Sequence, residues 1–94
     1  MKIAMFTTVE GYKKHLEGNI ALYTKAVQQA QEYYEMTVRG DNRASWLKAN
    51  NMNVDDPRAA MAWDNHIDWA ADVLKYEQRK LRKARRELFK LENM

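Results

Sequence analysis

The stretch PRAAMAWDNHIDWAADVLKYEQRKLRKARRELFKLE, residues 57–92, decides the fold. Within it Ala60, Ile67, Leu74, Leu81 and Leu88 recur every seven residues, and Trp63, Ala70, Ala84 and Leu91 stand three residues after members of that row, interrupted only by Glu77. An apolar heptad keeps one seam of an α-helix facing a partner helix. The spacing therefore predicts a helix over about 57–92 with Ile67, Leu74, Leu81 and Leu88 as its dimer or packing seam. Asp56 followed by Pro57 marks the start, because Asp is a favoured N-cap and Pro at the first helical position loses no hydrogen bond. Trp69, Val73 and Tyr76 form a further apolar row that should widen the buried face in the first half. Acidic residues early in the helix and basic ones late should complement its macrodipole.

Upstream, Val9, Leu16, Tyr23 and Ala30 repeat every seven residues beside a second row of Ile20, Val27 and Tyr34. This predicts another amphipathic helix over about 8–39. Thr7 with Glu10 has capping-box spacing, and Gly40, free to adopt a left-handed backbone, is the natural terminator. Gly11 and Gly18 weaken the first turns, each by about 1 kcal/mol relative to Ala. Asp41 or Asn42 can cap a short helix over about 43–49 that carries Ala44, Trp46 and Leu47. Asn50, Asn51 and Asn53 should stop it through competing side-chain hydrogen bonds.

Helices of about 45 and 54 Å joined by a short connector fold most simply as an antiparallel hairpin. The expected fold is therefore all-α and coiled-coil-like, one helical domain over residues 1–94. Two helices shield only one stripe of each other, so pairing of two hairpins into a four-helix bundle would cover the rest. Hydrophobic content is 46%, with three Trp, five Tyr and two Phe, which is too rich for a disordered chain; three Gly and one Pro leave little material for turns. No stretch approaches the roughly 20 apolar residues that span a bilayer, and MKIAMF is shorter than a signal-peptide core. The expectation is a cytoplasmic protein with no membrane partner.

The net charge of +3 conceals a segregation: residues 51–74 carry −4 and residues 75–94 carry +5. Lys75, Arg79, Arg82, Arg86 and Lys90 step by four, three, four and four, which lines them along one side of a helix, and Lys80, Lys83 and Arg85 broaden the field. This stripe is the candidate binding site, with Lys75, Arg79, Lys80, Arg82, Lys83, Arg86 and Lys90 as its contacts for a protein partner or nucleic acid. A row of this kind also serves as a solvated outer face whose long stems cover apolar surface. A third reading is self-pairing: two copies of the last helix, antiparallel about Leu74, would set each basic half beside Asp64, Asp68 and Asp72 of the other. Base-specific DNA reading is disfavoured, because the segment offers only Gln78 and Asn93 as amides.

Catalysis has little to work with. The chain has no cysteine and a single serine, Ser45, beside no recognisable base. The Glu-x-x-His spacing of di-iron bundles is missing, since Tyr12 and Trp63 precede His15 and His66 by three. In DNHID, Asp64 and Asp68 share a helix face from which His66 points away, the pattern of a solvated surface rather than a metal site. No catalytic residue, metal or cofactor is expected. Tyr33, Tyr34, Trp63 and Trp69 at helical spacing read as core before they read as a ligand cleft.

The function these features predict is that of a non-enzymatic helical module for protein–protein interaction, docking on a larger protein, in particular one that handles nucleic acid, or on a second copy of itself. In size and style it matches small accessory or inhibitory factors, including those encoded by viruses. The alternative is sequence-independent DNA or RNA binding through the basic stripe.

Overall fold

In the computed structural model, residues 8–93 are described, and they form three helices: α1 Val9–Arg39, α2 Arg43–Ala49 and α3 Ala59–Glu92. α1 and α3 lie antiparallel as a hairpin. Tyr12 meets Glu87 at one end, Lys80 lies over Tyr23 near the middle, and Tyr33 meets His66 toward the other end. α2 closes that second end. The result is a rod of 59 × 21 × 16 Å with a radius of gyration of 19.0 Å, where a compact chain of this length has about 12 Å.

The helix ends follow from particular residues. The N-cap of α1 is Thr8, whose extended backbone lets Oγ1 accept from the Gly11 N–H at 3.0 Å; Thr7 lies outside the described residues. Gly40, at φ 81°, ends α1 in a Schellman motif, with the Asp41 N–H on the Met36 carbonyl and the Gly40 N–H on that of Thr37. α2 ends in the same way, with Asn51 at φ 58° and the N–H groups of Met52 and Asn51 on the carbonyls of Leu47 and Lys48. Asn50 Nδ2 adds a bond to the Trp46 carbonyl at 2.8 Å. Asn42 stands at the N-cap of α2 but makes no capping bond; its side chain turns back to Thr37 Oγ1 at 3.3 Å.

α3 begins two residues later than the Asp-Pro pair predicts. Asp56 Oδ1 accepts from the Arg58 N–H at 2.9 Å, and the Ala59 N–H reaches the Asp56 carbonyl, so Pro57 sits in a turn ahead of the helix. The Arg58 guanidinium, assisted by the same backbone N–H, holds the Asp56 carboxyl down at about 2. The first turn of α3 contains no acid. Asp64, Asp68 and Asp72 lie too far along the helix to complement its dipole, an effect confined to the first turn.

The core is a narrow seam. α3 buries Ala59, Trp63, Ala70, Leu74, Leu81, Ala84 and Leu91, while Ile67 and Leu88 are half-buried and Ala60 is exposed. α1 buries Tyr12, Leu16 and Thr37. On α1 the row opposite α3 runs through Tyr12, Leu16, Tyr23, Ala26, Ala30 and Tyr33, leaving Ile20, Val27 and Tyr34 half-buried at its margin. Val9, at the head of the predicted row, is exposed. Trp69 and Tyr76, predicted to widen the buried face, are 54% and 55% exposed. The physical reason is that α2, only seven residues long, covers one end, so among the described residues no helix lies over their side of α3. Gly18 has no atom within 4 Å of where a Cβ would stand, and at Gly11 the nearest is Thr8 Oγ1 at 3.3 Å. Neither glycine admits a neighbouring backbone.

Candidate interaction surface

The seam fixes which side chains of α3 are left for a partner. With Leu74, Leu81, Ala84 and Leu91 turned toward α1, helical geometry sends Lys75, Arg79, Arg82, Lys83, Arg86 and Lys90 outward, and all six are exposed, as is Arg85. The ion pairs among the described residues are Arg39 with Asp41, Arg58 with Asp56, and Lys80 with Glu77. Of the stripe, only Lys80 is therefore ion-paired among the described residues. Its Nζ lies 3.1 Å from Glu77 Oε2 and sits over the rings of Tyr23 and Tyr76 at 5.0 and 4.7 Å. Glu77, the residue that interrupts the heptad, has a side chain only 17% exposed, and its bond to Lys80 is the first cause of the raised Lys80 pKa. Lys80 thus compensates a carboxylate in the seam and is withdrawn from the stripe. Two large rings accompany the free cations at the surface, Tyr76 and Phe89, the latter 67% exposed.

The seam residues occupy the interior of the hairpin. Leu74 and Leu81 are buried and Ile67 and Leu88 half-buried, with Leu88 packed on the Tyr12, Leu16 and Leu91 cluster at the open end. Contact between two copies along α3 would therefore use faces other than the one that Leu74 and Leu81 turn to α1. Beside that cluster the Tyr12 hydroxyl donates to Glu87 Oε2 at 3.1 Å, and burial, then Glu87, pushes its pKa up.

At the closed end the structure assembles what sequence reading left dispersed. The His66 ring is stacked between two indoles, Trp46 of α2 at 4.6 Å and Trp69 at 5.3 Å, with interplanar angles of 25° and 15°. Trp63 meets Trp46 edge-on at 5.6 Å, and Tyr33 of α1 stands edge-on to both His66 and Trp69. The Tyr33 hydroxyl lies 2.7 Å from His66 Nε2 and donates to it in the neutral tautomer that carries its proton on Nδ1. Burial lowers the His66 pKa, which favours that neutral form. The signal in the sequence was Trp63, His66 and Trp69 at steps of three, which share a side of one helix. The polar letters of DNHID obscured it.

Between these regions, at mid-length, a groove of about 400 Å³ opens on the aromatic side, floored by Ala26, Ala30 and Ala70 and walled by Tyr33, Trp69 and Val73. Small residues on the floor leave the space that Trp69 and Tyr33 overhang. Among the described residues no three His, Cys, Asp or Glu side chains converge as a metal site would require, and no helix is long and apolar enough to cross a membrane. Compared with protein-family models, curated proteins and solved structures, the chain matches none.

Proposed function

We propose that the chain is a non-enzymatic helical docking module whose α3 stripe meets an acidic surface of a larger protein, with Arg79, Arg82 and Arg86 at the centre of the contact. The observation that carries this reading is that six cations, Lys75, Arg79, Arg82, Lys83, Arg86 and Lys90, are exposed along one helix with no ion pair among the described residues. A rigid helix presents such a row without the ordering cost a loop would incur on binding, and complementary potential accelerates encounter and fixes orientation. An accessory or inhibitory factor of a nucleic-acid-handling protein fits this mode, because a cationic stripe would bind either the acidic surfaces of such a target or the nucleic acid it holds.

A second reading, sequence-independent nucleic-acid binding by the same stripe, is favoured by the exposed rings of Tyr76 and Phe89 among the cations. Single-strand binders combine stacking rings with a positively charged track. Titration of random single-stranded and duplex oligonucleotides across a range of salt separates the two. The docking reading expects no binding at low salt, together with a captured protein that the Arg79→Glu, Arg82→Glu, Arg86→Glu variant loses. Oligonucleotide binding that falls steeply with salt transfers the stripe to the second reading. A variant that keeps the same captured protein removes the stripe from docking altogether.

A further inference from the structure

From the groove and the distribution of charge we infer that a second copy of this chain, antiparallel to the first, covers the aromatic side of the hairpin, the Trp69 indole of each copy seated in the groove of the other. The groove lies near the midpoint of both long helices, since Ala26 and Ala30 sit centrally in α1 and Ala70 and Val73 near the centre of α3. A twofold axis over it gives full overlap of the two rods. An isologous interface must be self-complementary, and the groove supplies both parts: a floor of Ala26, Ala30 and Ala70, and a half-exposed Trp69 on its rim.

Charge selects the antiparallel arrangement. Residues 26–74, the closed half, carry four basic groups against eight acidic; the open half, residues 8–25 with 75–93, carries eleven against five. The halves are therefore −4 and +6, and a twofold axis at mid-length lays each on its opposite. A parallel arrangement would lay +6 on +6. Area is sufficient as well. One broad side of a rod 59 × 21 Å exceeds the roughly 800 Å² per partner that a standard interface buries. Self-association on this side leaves the proposed docking stripe open: Lys83 and Lys90 follow Tyr76 by seven and fourteen residues and flank the aromatic side, whereas Arg79, Arg82 and Arg86 lie on the outer side of α3.

The test is analytical ultracentrifugation of the full chain with two companion measurements. The expected result is a dimer at micromolar concentration that Trp69→Glu weakens by about tenfold or more, as loss of a central aromatic anchor does, with unchanged helical circular dichroism. Because the chain has no cysteine, single introduced thiols report orientation: Gln29→Cys, on the groove, should form a disulfide with its symmetry mate, and Lys90→Cys, near one end, should not. A monomer at several hundred micromolar, a dimer indifferent to both Trp69→Glu and Gln29→Lys, or efficient self-cross-linking at position 90 would each overturn the inference. The triple Arg79, Arg82, Arg86 variant takes the open half from +6 to 0 but keeps Trp69 and the groove, so it should remain dimeric, and failure of the docking reading is distinguishable from failure of this one.

Discussion

At the closed end of the hairpin Leu47 and Thr37 are fully buried and the rings of Tyr33, Trp46, Trp63, His66 and Trp69 touch one another. The open end relies on the small cluster of Tyr12, Leu16, Leu88 and Leu91, with α3 carrying its exposed cations alongside. The contrast teaches where a two-helix rod finds stability. The closed end has a third element, α2, so apolar side chains there are covered from two directions. Among the described residues the open end has only one facing helix, and its outward residues stay exposed. A rod of uniform heptads thus acquires one end covered by a third element and one end covered by a single helix among the described residues.

The comparison breaks most severely at Leu47, which is 0% exposed and anchors α2 under the turn. Leu47→Ala should cost about 2 to 5 kcal/mol in chemical denaturation, the range for truncating a buried leucine. Leu88→Ala at the open end removes the same atoms from a half-buried site and should cost about 1 to 2 kcal/mol. Equal losses would mean that the two ends are equally well packed.

Much of this architecture is legible in the residues, for identifiable reasons. Gly40 and the Asn50 and Asn51 pair set helix ends through local backbone chemistry, which needs no tertiary information. The stripe was legible as a spacing from Lys75 to Lys90. Its exposure was not, because either side of a heptad helix can be covered until the partner's direction of approach is known. Trp69 and Tyr76 illustrate the same gap: their spacing reads as core, and they lie at the surface because no helix among the described residues stands above them. The ring cluster was the least legible element. Tyr33 and His66 are 33 residues apart, and their meeting depends on the register of α1 against α3 and on where α2 returns.

Sharper tests use single positions. Gly18 lies exposed within α1 at the open end, with nothing within 4 Å of an added Cβ. Gly18→Ala should therefore stabilise the protein by about 1 kcal/mol, seen as a raised denaturation midpoint. His66 tests the closed end through pH. Its folded pKa lies below the unfolded value because burial disfavours the charged ring, so the unfolded chain binds more protons in that interval and stability rises with pH. The stabilisation should be complete above the ordinary histidine value of about 6.5 and decline as pH falls below it toward the lower folded value. The Asp56 carboxyl, held at about 2, titrates well beneath this window. Denaturation midpoints at pH 8 and pH 5 should differ in the parent and converge in His66→Gln. A midpoint independent of pH in the parent would mean that the ring is not desolvated.

The smallest expected effect discriminates most finely between the two ends. Arg79→Glu, Arg82→Glu and Arg86→Glu together reverse the centre of the stripe, yet none of the three arginines has an ion pair among the described residues to lose. Exposed charges on a helix change stability by about 0.5 kcal/mol or less each, and Glu forms helix nearly as well as Arg. The denaturation midpoint of the triple variant should therefore stay close to the parent's, while the docking proposed for the stripe should be lost. A large fall in stability instead would show that these arginines hold the hairpin together, and the open end would then be a structural end like the other.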